Sequence, residues 1–256
     1  TLSLHDALPI STLSITPASG TSTFTFLEPA DLTGDDWLGS GNYERAEGLT
    51  TNAGELMLAN HSAIAETGRI SINGTIDNGT IANVTFRNTY QNPVVVTFVS
   101  TFAGSDPISA RVKNITGTSA QIFLEEPADE EHLNTEQVNY LIVEQGVHEV
   151  GGITIEAGTH NTSNYHSRPN GFQEFDGDRI NFTKPFINRP GIMATLNSYN
   201  NGDFMTTVIP GLETDHFLVE QESGETGHVA VEETIGWVAI EKGVGTINNQ
   251  AFDIGR

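Results

Sequence analysis

The chain has 256 residues, no cysteine and a formal net charge of −22, from 33 acidic against 11 basic side chains. That balance repels phosphate, so nucleic acid and anionic membranes are disfavoured as partners. The lack of cysteine excludes a disulfide scaffold, Cys-ligated zinc and a thiol nucleophile. No run reaches the ~18 apolar residues of a membrane-crossing helix.

Residues 1–10 have no basic n-region of a signal peptide. They resemble a translated sequencing-adapter remnant and are set aside from fold reasoning. Residues 11–79 read as a partial, degenerate repeat. Within it Leu27-Glu28-Pro29-Ala30-Asp31 repeats as Leu124-Glu125-Glu126-Pro127-Ala128-Asp129 with one residue added, and Ala30 and Ala128 lie 98 apart (128 − 30). Its version of the closing strand, Tyr43-Glu44-Arg45-Ala46, lacks an apolar run.

Residues 80–178 read as the first full copy. Val84 to Phe86, Val94 to Val99, Ala110 to Ile115 and Ala120 to Leu124 are short β-branched or aromatic runs between turn formers, which predicts strands. Glu125 to Glu131 is an acidic loop. Val138-Asn139-Tyr140-Leu141-Ile142-Val143 then closes the unit with Glu144-Gln145-Gly146. Residues 147–178 read as a linker with one short strand at Ile153 to Ile155. Residues 179–256 are the second copy, with strands at Ile180 to Phe182, Ile192 to Leu196, Met205 to Ile209 and His216 to Val219. Its closing strand, Ile235-Gly236-Trp237-Val238-Ala239-Ile240, ends in Glu241-Lys242-Gly243. Val138 and Ile235, Glu144 and Glu241, and Gly146 and Gly243 each lie 97 apart (235 − 138). A constant shift of this kind marks a tandem array, and the chain reads as a fragment of a longer one. No helical periodicity is sustained anywhere. The expected fold is therefore all-β: tandem antiparallel β-sandwich repeats with a period of about 97 residues. Tyr140 and Trp237 are expected in the core.

No catalytic constellation emerges. There is no Gly-x-Ser-x-Gly elbow, and the scattered glutamates give no specific acid–base pair. Asp106 and Asp203 recur in turns, where a carboxylate caps backbone amides or accepts from a ligand hydroxyl. His132 with Glu136, and His228 with Glu232 and Glu233, recur before the closing strand. They either fix the loop or contact a ligand, and their spacing is not that of a zinc motif. Asn60, Asn73, Asn78, Asn83, Asn114, Asn161 and Asn181 each open an Asn-x-Ser/Thr triplet, a number expected by chance in an Asn- and Thr-rich chain and consistent with an extracellular life.

The order of Val84-Thr85-Phe86, Tyr90, Asn92-Pro93-Val94-Val95-Val96, Asp106, Arg111-Val112, Asn114-Ile115-Thr116, Phe123 and Val138-Asn139-Tyr140-Leu141-Ile142 resembles the H-type lectin domain of snail agglutinin and the discoidin C-terminal domain. Phe182, Phe186, Pro190, Ile192, Asp203, Phe217 and Ile235 to Ile240 carry it in the second copy. That resemblance implies a six-stranded antiparallel sandwich, often trimeric, that binds N-acetylgalactosamine-type sugars. The sugar-binding set it suggests here is Asp106, Arg111, His132, Glu136, Asp203, His228 and Glu233. The loop before the last strand carries aromatics in that family. Here, as Glu125 to Thr135 and Glu220 to Glu232, it is acidic and has none.

The expected function is a non-catalytic carbohydrate-binding or adhesion module of a larger extracellular or cell-surface repeat protein, not an enzyme. Its partners would be glycans or cell-surface polysaccharide, together with a homotrimer or repeats packed within the chain. No cofactor is expected; Ca²⁺ would suit the acidic loops, but no motif calls for it. The alternatives are structural spacer repeats of a surface or virion fibre, or an accessory domain of a polysaccharide-degrading enzyme.

Overall fold

A computed structural model describes residues 12–15, 22–25, 49–52, 55–58, 64–104, 107–127, 132–150, 152–166, 177–224, 231–247 and 250–254, with backbone only for 12–58 and 245–252. The chain divides into two units, Thr1–His61 and Ser62–Arg256. Every extended regular element among the described residues is a strand. Among the described residues the first unit shows two antiparallel hairpins, β1 (Thr12–Ile15) with β2 (Ser22–Thr25) and β3 (Leu49–Asn52) with β4 (Glu55–Leu58).

The second unit holds two sandwiches. The first is built from β5 (Ala65–Asn73), β6 (Ala82–Thr85), β7 (Pro93–Val99), β8 (Ser109–Lys113), β9 (Ser119–Glu125) and β10 (Thr135–Glu144), as a β5-β10-β7 sheet over a β6-β9-β8 sheet. Next come β11 (Gly146–Val150), β12 (Ile153–Thr162), β13 (Tyr165–His166), β14 (Asp178–Asn181), β15 (Gly191–Leu196), β16 (Thr206–Leu212), β17 (His216–Glu222) and β18 (Glu233–Ile240). They form the sheet β11-β12-β18-β15 and a second sheet in which β17 pairs with β13, β14 and β16. Finally β19 (Gly243–Ile247) pairs with β20 (Gln250–Ile254) in the register of the β11–β12 hairpin: Gly146 faces Ala157, and 97 residues later Gly243 faces Ile254.

Each sandwich therefore has six counterpart strands, and its first strand lies earlier than the sequence frame placed it. β5 precedes residue 80, and β12 lies in the stretch read as a linker. β5 is a polar edge strand, and β12 is a polar strand between β11 and β18. In β5 only Glu66 and Ile72 are fully buried, so neither the apolar count nor the alternation marks it as core.

The cores follow the period of two. Val138 and Ile142 of β10 meet Ile72, Val84, Val95, Val112 and Ile122 in the first core; Phe182, Phe217, Ile235 and Trp237 anchor the second. Tyr140 is partly buried against the first core and Trp237 is fully buried in the second. The unbroken Val94-Val95-Val96 run has a separate cause. Val95 faces the first core, while Val94 and Val96 join Val143, Ala157 and Val238 in a third cluster between the two sandwiches. A strand covered on both faces reads as a continuous apolar run.

Buried carboxylates hold the loops. Glu66 accepts from the amides of Arg87 and Asn88, both at 3.0 Å, and Glu156 from the amide of Thr183 at 2.9 Å. Half-buried Glu144 accepts from the amides of Gln91 and Asn92, both at 2.7 Å. A carboxylate that takes two successive amides satisfies donors a turn leaves unpaired. Part of the acidic composition is thus internal structure, not solvated surface.

Candidate functional site

The densest polar cluster lies where the two sandwiches meet, and Arg111 of β8 is its centre. In a strand of period two, Arg111 lies between inward-facing Ala110 and Val112, yet its side chain is only 1 % exposed because the second sandwich covers it. Its Nη1 donates to Glu125 Oε2 at 2.8 Å, and its Nη2 to Glu233 Oε1 at 3.1 Å and to the Ser198 carbonyl at 3.1 Å. The guanidinium carbon lies 4.8 Å from the Tyr199 ring centre, and that ring packs edge-on against Phe123. Arg111, Glu125 and Phe123 belong to the first sandwich; Ser198, Tyr199 and Glu233 belong to the second. A planar guanidinium suits this position because its several donors have fixed directions.

Burial pushes the Glu125 carboxyl up to about 7, against the opposing pull of Arg111. Burial, then the Glu125 charge, also raises the Tyr199 hydroxyl. Glu233 further accepts from the amides of Asn200 (2.7 Å) and Asn201 (2.6 Å) and from the Ser198 hydroxyl. In the first sandwich, 97 residues earlier, Glu136 accepts from the amides of Ala103 (2.7 Å) and Gly104 (3.2 Å) and from the Thr101 hydroxyl. Burial works to raise the Glu136 carboxyl, but these donors, with His132 nearby, hold it below its ordinary value.

The residues expected to contact sugar separate clearly. Arg111, His132, Glu136 and Glu233 are buried and engaged internally. His132 sits between Glu126 (3.3 Å from Nδ1) and Glu136 (3.4 Å from Nε2). Asp203 is exposed, and its carbonyl lies 3.4 Å from Arg111 Nη1. Asp106 and His228 fall outside the described residues. The structure thus joins Arg111 to Glu233 and His132 to Glu136.

The sequence reading missed Glu66, Glu125, Glu156, Thr195 and Asn197. Glu66-x-Gly68 and Glu156-x-Gly158 were a usable signal, since they repeat the Glu-x-Gly of the closing strands at a different spacing. Thr195 and Asn197 cap the free edge of β7. Asn197 Oδ1 accepts from the Val95 amide at 3.2 Å, its Nδ2 donates to the Val95 carbonyl at 2.7 Å, and Thr195 Oγ1 accepts from the Thr97 amide at 2.9 Å. A capped edge is closed to other strands.

Two open hollows flank the junction. One, of about 550 Å³, is lined by Arg69, Phe98, Asn139, Tyr140, Leu141 and Met193 among others, and Arg69 Nε donates to Asn139 Oδ1 at 2.8 Å. The other, of about 340 Å³, presents amide and hydroxyl groups of Gln91, Asn92, Thr116, Gln145, Thr159 and Asn197. Among the described residues no three His, Asp or Glu gather in a metal-ligating arrangement. No helix among them is long and apolar enough to cross a membrane. Asn73, Asn78, Asn83, Asn114, Asn161 and Asn181 are all exposed.

In comparisons with known proteins, 196 residues align with halomucin of Haloquadratum walsbyi at 27 % identity. The alignment spans 71 % of this chain and 2 % of halomucin. No protein-family model matches the chain. No solved structure matches it either.

Proposed function

We propose that the chain is a non-catalytic structural segment of an extracellular repeat protein, in which neighbouring sandwiches are locked so that the array transmits orientation from one repeat to the next. The observation that carries this reading is Arg111, which binds Glu125 of its own sandwich and Glu233 of the next with its side chain 1 % exposed. A flexible tether would not bury an arginine between two domains, because desolvating the charge costs several kcal/mol unless its partners are fixed. The similarity to a stretch of a protein named as a mucin supports an extracellular place, and the net charge of −22 suits a surface bathed in salt.

Thermal unfolding of the whole chain tests it. Ser62–Arg256 should melt in one transition, and Arg111→Ala should lower its stability by about 3–5 kcal/mol by leaving buried carboxylates uncompensated. Two transitions separating the sandwiches, unmoved by Arg111→Ala, would remove the reading.

A second reading, sugar binding of the kind the H-type lectin resemblance implies, is favoured by one observation. Phe98 is 50 % exposed beside the Arg69–Asn139 pair, an apolar face next to fixed polar groups. A glycan array probed with and without Ca²⁺ checks it; binding abolished by Phe98→Ala is the expected outcome, and no binding under either condition removes it.

A further inference from the structure

We propose that Thr162 and Gln221 are the two ends of an ester bond that the folded chain forms within itself, stapling the two sheets of the second sandwich together. Thr162 ends β12 in one sheet, and Gln221 lies on β17 in the other. Their counterparts in the first sandwich follow from the strand pairing. Ile72 faces Glu136 as Thr162 faces Glu233, and Leu124 faces Ala110 as Gln221 faces Thr207. The facing partners lie 97 apart in both cases (233 − 136 and 207 − 110). Ile72 and Leu124 are fully buried in the first core. The second sandwich puts a hydroxyl and a carboxamide in their places and still buries them, with Gln221 1 % exposed and Thr162 4 % exposed. Burying polar groups at two apolar positions is costly unless every atom finds a partner.

One atom does not. Gln221 Nε2 donates to the Thr162 carbonyl at 2.7 Å and to the Val231 carbonyl at 2.9 Å, while Gln221 Oε1 is buried with no hydrogen-bond partner among the described residues. The carboxamide is thus held against Thr162 by its nitrogen, and its carbonyl is unengaged. A buried carbonyl left without a donor calls for a reason. The Thr162 hydroxyl supplies one. It is hydrogen-bonded to the Asp178 carboxylate, and it accepts from the Asn164 amide at 3.0 Å. Asp178 is itself fixed on both oxygens: Oδ2 lies 2.8 Å from His160 Nε2, and Oδ1 accepts from Asn164 Nδ2 at 2.6 Å. A hydroxyl bonded to a base that a third group orients is the arrangement of an activated nucleophile, and here the electrophile is the neighbouring carboxamide.

The step balances without any co-reactant. Thr162 Oγ1 adds to the Gln221 carboxamide carbon as its proton passes to Asp178. The carbon–nitrogen bond then breaks, Asp178 returns the proton to the departing nitrogen, and ammonia leaves. Hydroxyl and carboxamide become ester and ammonia, with no change of oxidation state. The reaction happens once per chain, so holding the two groups together supplies much of what it needs. In a chain without cysteine, the product closes a loop between residues 162 and 221 that a disulfide would otherwise close, and it removes freedom from the unfolded state in the same way.

Intact-mass spectrometry of the full chain, held folded for several days at neutral pH, decides this. The mass should fall short of the sequence mass by one ammonia, and a protease digest should yield a branched peptide containing both Thr162 and Gln221. Thr162→Val and Gln221→Leu, which imitate the apolar first core, should each restore the full mass, while Thr162→Ser keeps a hydroxyl and should still lose ammonia. Asp178→Asn should slow the loss on the order of a hundredfold, the contribution of a general base. Cooperative melting of each variant certifies that a full mass is not the result of misfolding, and the Thr162→Ser product carries the test where Thr162→Val fails that check. A folded wild-type chain at full sequence mass overturns the proposal. So does an ammonia loss that survives Thr162→Val, which would belong to ring closure at an Asn-Gly pair such as Asn73-Gly74, and so does an Asp178→Asn chain that crosslinks at the wild-type rate. The spacer reading rests on Arg111, and an uncrosslinked chain that melts in one transition would leave it standing.

Discussion

At the scale of single residues, the molecule is organised by carboxylates that look superficial in sequence and are internal in structure. Glu136 and Glu233 were visible as a repeated pair beside a histidine, and their recurrence was informative. Their role was hidden, because nothing local distinguishes a glutamate that accepts two loop amides from one that faces water. Glu125 carries the sharpest consequence. Its folded carboxyl is raised by burial from 4.5 to about 7, so the folded state holds a proton there that the unfolded chain has already released. Its contribution to stability is full below pH 4.5 and is lost as pH rises through about 7. Glu136 and Asp178 act the other way: both are lowered despite burial, by hydrogen bonds from Thr101 and the 103–104 amides in one case and from Thr162, His160 and Asn164 in the other. What they contribute is present above the ordinary carboxylate range and lost in acid. Stability should therefore pass through a maximum near pH 4.5, where the acid limb ends and the Glu125 decline begins. Glu125→Gln should flatten the alkaline side, removing a decline on the order of 3 kcal/mol. Denaturant melts from about pH 2 to 9 measure both limbs. An alkaline limb unchanged in Glu125→Gln would assign the decline to another group.

At the scale of elements, the closing strands were legible and the opening strands were not. β10 and β18 declare themselves through apolar runs that repeat at 97, whereas β5 and β12 are polar strands whose marks are a buried glutamate and a glycine. The glycine has a physical reason. Tyr140 faces Gly68 across the strands, and Trp237 faces Gly158, so each ring lies flat over a residue without a side chain. A Cβ at Gly68 would sit 2.1 Å from the Tyr140 hydroxyl, and one at Gly158 would sit 2.6 Å from the Trp237 indole. The tyrosine has room to give, since it is only partly buried; the tryptophan is wedged against Phe182 and Phe217. Gly158→Ala should therefore cost about 1–3 kcal/mol as an overpacking change, and Gly68→Ala less. Paired thermal melts compare them; equal losses would mean that the ring's freedom does not decide the cost.

At the scale of the whole molecule, the chain combines a strongly charged surface with junction charges that water does not reach, and these respond differently to salt. The repeat was readable from the sequence because core strands recur. The junction was not, because it is made by counterparts that have diverged: Arg111 against Val208, Phe98 against Thr195, Phe123 against Glu220. A period reveals what two copies share, and an asymmetric junction depends on what they do not. With a formal charge of −22, surface repulsion opposes compaction, and shortening the screening length from about 10 Å at 0.1 M to about 3 Å at 1 M salt should relieve it. The melting temperature should climb across that range. The Arg111 pairs with Glu125 and Glu233 are buried on both sides, so mobile ions cannot enter to weaken them. Arg111→Ala should then melt below the wild type by a nearly constant interval at every salt concentration, two rising and parallel curves. An interval that closes as salt is added would show that the arginine is screened like a surface charge, and would place the hold between the sandwiches in the apolar cluster of Val94, Val96, Val143 and Val238 instead.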